Sequence, residues 1–276
     1  MAALRAFLAL FLAVSPALAC YPHPNLMLCW DMQEGATTRT KDSSGSRFGM
    51  DGTLLETVAW VRASKPMGIN QNFSNSSSSG TFVDPGDFMI SFPGLSGDEV
   101  ASPATGNFNF TGTQPFEFGI TVTFPTLAPA ASTELLSSCQ AGQGWQFHYQ
   151  IDRHAVFYIL GVATYDFGYG DSTDNGIIVQ DLNSHRVFLA RNAAHLYLFV
   201  DGKPVGDKTL VPGTIVAGSN PLRVGGGAGG QGLYAGKASR LAIYNFPWTT
   251  FSEIAAFAKN DYLYWQGMDD GSGVGE

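Results

Sequence analysis

Short apolar or alternating runs recur along the chain, each broken by Gly, Pro, Asn or Asp. Residues 26–30, 116–124, 144–151, 155–162 and 176–179 have strand length and are rich in β-branched or aromatic side chains. Residues 186–190 and 195–200 continue the series. In the latter, Leu196, Leu198 and Val200 face one way, while His195, Tyr197 and Phe199 face the other. Asp201-Gly202 follows at once. This dipeptide is favoured in type I′ turns, where both central residues need positive φ, so residues 203–210 are expected to return as the partner strand. One helix is predicted. Thr250-Phe251-Ser252-Glu253 reads as a capping box, and Ile254, Phe257 and Ala258 then repeat at helical spacing, which gives a short helix near the end. Many short strands and one helix predict an all-β antiparallel sandwich. No long linker divides it, so residues 20–266 read as one domain, and the Gly- and Asp-rich tail 267–276 is expected to fray.

Composition narrows the class. The chain of 276 residues is 45% hydrophobic and only 14% charged, too apolar for a disordered protein. With 15 Lys and Arg against 23 Asp and Glu, its net charge of −8 disfavours nucleic acid and anionic lipid surfaces as partners. Residues 1–19 read as a cleavable leader. Arg5 supplies the positive charge, residues 6–14 the apolar run, Ser15-Pro16 the break and Ala17-Leu18-Ala19 the small-x-small cleavage site. That run is too short to span a bilayer, and no later segment is longer. A secreted protein is expected, without a transmembrane segment.

Cys20 opens the mature chain. Lipid anchoring there is the minor alternative, because a lipoprotein box normally has Leu three residues earlier. A disulfide suits an oxidising compartment. Cys20, Cys29 and Cys139 allow three single pairings. Cys29–Cys139 would staple two strands of the core and is the working pair, while Cys20–Cys29 would tie down the N-terminus. Both are open at the level of sequence. Asn72, Asn75 and Asn109 fit the N-glycosylation pattern, the first two in the polar run 70–80.

The order of segments carries a resemblance. Leu28-Cys29-Trp30-Asp31, Glu34-Gly35, Asp42-Ser43-Ser44-Gly45 and Asp51-Gly52-Thr53-Leu54 resemble the opening of laminin-G-like jelly rolls of the concanavalin A-like lectin/glucanase superfamily. Phe116-Glu117-Phe118-Gly119-Ile120-Thr121-Val122 is similar to that family's central strand, and Leu196-Tyr197-Leu198-Phe199-Val200-Asp201-Gly202-Lys203 to its hairpin. Leu222-Arg223-Val224 with Gly225-Gly226-Gly227, then Leu241-Ala242-Ile243-Tyr244-Asn245 and the short helix, close the pattern. The likeness runs from residue 26 to 258. It implies two curved sheets packed on their apolar faces, with binding on the outer concave face and the rim loops. Such folds host lectins, adhesion modules, glucanases and lyases alike, so the chemistry has to come from particular residues.

The glucanase branch carries Glu-x-Asp-x-x-Glu on one strand, and this chain has no such string. Glu117 and Glu134 stand alone, and Glu253 serves the helix cap, which argues against a paired-carboxylate hydrolase. A lyase could draw on His148, Tyr149, Arg153 and His154, read otherwise as a polar strand edge. Gly-x-Ser-x-Gly, CxxC and HExxH are absent, and the Gly-rich stretch 225–232 lacks the helix and the Lys of a phosphate loop. The resemblance also raises bound calcium. Pentraxin-type relatives place acids in loops matching 140–143 and 225–232, where this chain has Gln and Gly; two other acidic loops remain, Asp84 to Asp87 and Asp166 to Asp174, with Asp84 and Asp87 the candidate ligands.

The richest loop spans residues 165–176. Tyr165, Asp166, Tyr169, Asp171, Asp174 and Asn175 interleave rings with carboxylate and amide groups, which is what a sugar's C–H faces and hydroxyls need. A non-catalytic module binding extracellular carbohydrate or glycoprotein is therefore the leading expectation. A polysaccharide lyase or glycoside hydrolase, and a structural adhesion protein that binds other proteins, are the alternatives.

Overall fold

The computed structural model describes residues 20–32, 34–45, 50–62, 88–105, 107, 108, 110, 114–123, 133–140, 142–149, 155–167, 184–211, 220–226 and 232–265. The leader, the run 176–179 and the tail lie outside them, as do Asn72, Asn75 and Asn109. In chain order the strands are β1 (Leu26–Trp30), β2 (Arg39–Thr40), β3 (Gly52–Leu54), β4 (Ala59–Arg62), β5 (Phe88–Pro93), β6 (Val100–Ala101), β7 (Phe116–Thr123), β8 (Thr133–Gln140) and β9 (Gln143–Tyr149). They continue with β10 (Ala155–Ile159), β11 (Ala163–Asp166), β12 (His185–Arg191), β13 (His195–Val200), β14 (Lys203–Thr209), β15 (Arg223–Val224), β16 (Gly232–Leu233) and β17 (Ala235–Tyr244), before helix α1 (Phe251–Trp265).

Two sheets result. The first runs β14-β13-β12-β7-β17-β5-β4, with β1 also on β17, so the first and last strands of the described chain are neighbours. The second runs β11-β10-β9-β8-β15-β6-β3-β2, with β16 parallel to β8 and every other pairing antiparallel. Alternation puts Phe116, Phe118 and Ile120 of the first sheet against Trp145, Phe147 and Phe157 of the second in one buried cluster. Rings of Phe110 and Phe116 stack at 4.3 Å, and Trp145 lies over Phe118 at 5.8 Å. Each such side chain contributes about 1.5–3 kcal/mol by leaving water. The indole N–H of Trp145 donates to the Phe108 carbonyl at 2.7 Å, so the ring is buried without an unsatisfied donor.

The Asp201-Gly202 turn has φ values of 52° and 70°, as a type I′ hairpin requires. Leu196 and Leu198 enter the sandwich core, and Tyr197 and Phe199 turn to the opposite face. That face is apolar because α1 covers it: Ile254, Phe257 and Ala258 pack there with Phe188, Tyr197, Phe199 and Tyr244. The capping box forms, with the Thr250 amide donating to Glu253 Oε2 at 3.1 Å. The helix is longer than its apolar repeat suggested. It has 15 residues, and the position one turn after Phe257 and Ala258 on the buried face is Asp261. Arg186 of β12 meets this acid through two bonds, Nε to Oδ2 at 2.6 Å and Nη2 to Oδ1 at 2.9 Å. A polar residue at a buried position thus hid the second half of the helix from the hydrophobic pattern.

The expected Cys29–Cys139 bridge is corrected: Cys20 pairs with Cys29, and Cys139 is a free, buried thiol. On β1, Leu28 and Trp30 point into the sandwich, so Cys29 points out under α1 with Cys20 and Tyr21. Cys139 lies in the other sheet, on the outer face beside Gln146. The two thiols therefore leave the sandwich in opposite directions. The bridge also uses the Cys20 sulfur that a lipid thioether would need. Asp42, from the Asp-Ser-Ser-Gly segment, organises the chain around β1 by accepting amide protons from Cys29, Ser44 and Met50.

Candidate functional site

With α1 and the disulfide-tied N-terminus on the first sheet, the outer face of the second sheet is the other broad surface of the sandwich. Its residues follow from register. On β9, Trp145, Phe147 and Tyr149 enter the core, which turns Gln146 and His148 outward. An irregularity in β8 between Glu134 and Leu136 sends both Leu135 and Leu136 into the core and leaves Glu134 outward, directly across from His148. One outward row therefore reads Asp166, Val156, His148, Glu134 across β11, β10, β9 and β8. The neighbouring row reads Thr164, Tyr158, Gln146, Ser137, Arg223 and reaches β15.

These rows are exposed at the β11 edge and buried at β8. Thr164 and Asp166 face solvent, whereas Glu134 is 1% and His148 2% exposed. Gln146 Nε2 donates to Glu134 Oε2 at 2.8 Å and approaches Cys139 Sγ at 3.3 Å, while His148 Nε2 lies 3.8 Å from the same carboxylate oxygen. Burial pushes the Glu134 carboxyl up to about 7, and Ser137, Arg223 and Gln146 offset only part of that cost. Burial likewise holds the His148 imidazole down, at about 4. Near neutral pH the pair is a half-protonated acid beside a neutral base. Arg223 pairs with Glu99 at 3.3 Å and donates to the Cys139 carbonyl at 3.0 Å, closing the group at its β15 end. The β8 end of the rows thus holds a buried acid, imidazole and amide, with the half-buried Tyr158 phenol next to them.

Of the loop residues expected to bind, Tyr165 and Asp166 are described, and they diverge. Asp166 is exposed, while the Tyr165 ring is 4% exposed within the core, its phenol oxygen accepting the Val211 amide at 3.0 Å. Tyr165 thereby anchors the root of the loop. Tyr169, Asp171, Asp174 and Asn175 lie outside the described residues, as do Asp84 and Asp87. Among the described residues no three His, Cys, Asp or Glu side chains converge as a metal site. Of the four residues considered for a lyase, His148 faces outward and Tyr149 inward, and Arg153 and His154 are outside the described set. Glu117 is buried on the helix side of the first sheet, opposite Ala190 and Tyr244, so the sandwich separates it from Glu134. Glu134, Gln146 and Arg223 were missed as a group, although the Gln146-x-His148 alternation was visible; only strand pairing brings in the other two.

Two facing antiparallel sheets with the polar outer face of one left to solvent at its edge define a jelly-roll β-sandwich of the lectin type. The sequence matches the concanavalin A-like lectin/glucanases superfamily over residues 96–254, more than half of the chain, and the protein belongs to that superfamily. Solved structures share the fold at low identity. The binding domain of Paraclostridial Mosquitocidal Protein 1 aligns with a TM-score of 0.61 at 14% identity, covering 88% of this chain and 55% of that one. The Botulinum Neurotoxin serotype G binding domain gives 0.59 at 11%, covering 87% and 51%. Trypanosoma rangeli sialidase gives 0.54 at 15%, covering 88% and 33%. The chain thus spans about half or less of the length of these structures. A comparison with curated proteins found no match. No helix among the described residues is long and apolar enough to cross a membrane, and the disulfide points to an oxidising, extracellular environment.

Proposed function

We propose that the protein is a secreted, non-catalytic module that binds extracellular carbohydrate or glycoprotein. The observation that carries this is the inequality of the two sheets. One outer face is sealed by α1, whereas the other carries Tyr158, Thr164 and Asp166 toward the β11 edge, where the loop with Tyr169, Asp171, Asp174 and Asn175 begins. Toxin binding domains and a sialidase among structures of the same fold support a sugar-directed reading by analogy of architecture. By sequence, residues 169–175 supply rings and hydrogen-bonding groups a few positions after the exposed Thr164 and Asp166 of β11.

The test is a glycan array with the purified protein, in calcium and again in EDTA, the second arm addressing Asp84 and Asp87 as calcium ligands. A cluster of related sugars is expected, with Asp171→Ala and Asn175→Ala each weakening binding by about tenfold, the loss of one hydrogen bond. A blank array, or hits that both substitutions leave unchanged, overturns the assignment. A second reading, a polysaccharide-active enzyme, draws on Glu134 and His148 as adjacent groups whose titrations are pushed in opposite directions. Release of new sugar ends by the wild type but not by Glu134→Gln would favour it.

A further inference from the structure

The outward rows of the second sheet end at the β10–β11 hairpin, and the surface is hollowed there. Residues 158–164 line a depression of about 420 Å³, within the range of roughly 300–1,000 Å³ usual for small-molecule sites. Register places its two walls. Tyr158 and Thr164 lie directly opposite each other on the outward face, the first half-buried and the second exposed. Beyond them the chain turns tightly, with the Val162 amide donating to the Ile159 carbonyl at 2.9 Å and Gly161 at a φ of 75°. A Cβ at Gly161 would meet nothing within 4 Å, so the space over the turn is open. The Leu160 amide pins the turn to β9 by donating to the Gly144 carbonyl at 3.0 Å. The Tyr158 ring is held in place as well: His148 packs edge-on at 4.9 Å, and Gln146, opposite it on β9, is tied to Glu134 at 2.8 Å.

The charge of this surface is one-sided. None of the lining residues is charged, and among the described residues of the hairpin, 155–167, the one charged side chain is Asp166, exposed on the same face of β11 two positions beyond Thr164. We propose that the depression is a seat for a single uncharged pyranose unit. The sugar's C–H face lies on the Tyr158 ring, and its hydroxyls bond to the Thr164 hydroxyl and the carbonyls of the turn 160–162. Sialic and uronic acids are disfavoured, because their carboxylate would find no cation in the lining and would meet Asp166 at the rim. This seat rests on the carbohydrate-binding reading above and deepens it, naming a subsite and a sugar class apart from residues 169–175.

The test titrates the purified protein with the methyl glycosides of glucose, galactose, mannose and N-acetylglucosamine, and with the methyl glycoside of N-acetylneuraminic acid. Binding is followed by NMR at the backbone amides of residues 158–164. At least one neutral glycoside is expected to shift these amides saturably, and the neuraminic acid glycoside to bind about tenfold more weakly or not at all. Tyr158→Leu and Thr164→Val should each weaken the neutral sugar by about tenfold, the loss of one ring face or one hydrogen bond. Thr164→Val keeps a β-branched side chain at an exposed strand position, so it carries the test should Tyr158→Leu fail to fold. The seat is overturned if no neutral glycoside shifts these amides, if Thr164→Val binds the sugar as well as the wild type, or if the neuraminic acid glycoside binds as tightly as the best neutral one. Glycan-array hits that depend on Asp171 and Asn175 but not on Thr164 would leave the lectin reading standing without the seat, whereas a blank array together with silent amides removes both.

Discussion

The substitution Glu134→Gln preserves size and the acceptor for Gln146 while removing one titration. Burial raises the Glu134 carboxyl from an ordinary 4.5 to about 7, so the folded state keeps a proton that the unfolded chain has released between those values. Stability is then fully present below pH 4.5 and is lost as pH rises through 7. At about 1.4 kcal/mol per tenfold change, the loss is about 3 kcal/mol. His148 works in the other direction. Its imidazole drops from 6.5 to about 4 in the fold, so its contribution is present above pH 6.5 and is lost as pH falls through 4. In the wild type the two slopes nearly cancel between pH 4.5 and 6.5. Urea unfolding followed by tryptophan fluorescence at pH 4.5, 5.5, 6.5 and 8 measures both. Relative to the wild type, Glu134→Gln is expected to gain about 3 kcal/mol between pH 4.5 and 8, becoming the more stable protein at the alkaline end. The gain arises because an amide in that site has no charge to bury. A stability difference that does not change with pH would refute the assignment of a proton to buried Glu134.

Arg186→Met is expected to cost about 3–5 kcal/mol, because it leaves the buried Asp261 carboxylate unpaired beneath α1. Arg186→Met with Asp261→Leu should recover most of this in chemical denaturation; equal losses in the single and double variants would contradict a pairing role. Cys29→Ser opens a loop of sequence separation 9 and is expected to lower stability by about 2–3 kcal/mol. Dithiothreitol should lower the melting temperature of the wild type but not of Cys29→Ser, and equal sensitivity would count against the Cys20–Cys29 bond.

The chain's local patterns determined a good deal by themselves. Strands 26–30, 186–190 and 195–200 are legible as short apolar runs of strand length, rich in β-branched or aromatic residues, and β1, β12 and β13 form there. The Asp201-Gly202 turn and the Thr250–Glu253 cap are equally local, since each depends on backbone groups within four residues. Strand β8 was not singled out, because Ser137, Ser138 and Gln140 dilute its apolar character. The tertiary structure alone decided which face of each strand is covered and by what. Both faces of β1 and β13 are apolar, and only the docking of α1 says which one belongs to the sandwich core. That choice sends Cys29 to Cys20 rather than to Cys139. In the same way, Glu134 and His148 are 14 positions apart in sequence and become neighbours through an irregular register in β8, which no local periodicity encodes. Burial then gives the pair its opposed titrations. Alternation belongs to the single strand, whereas partner, cover and proton affinity arise only when strands meet.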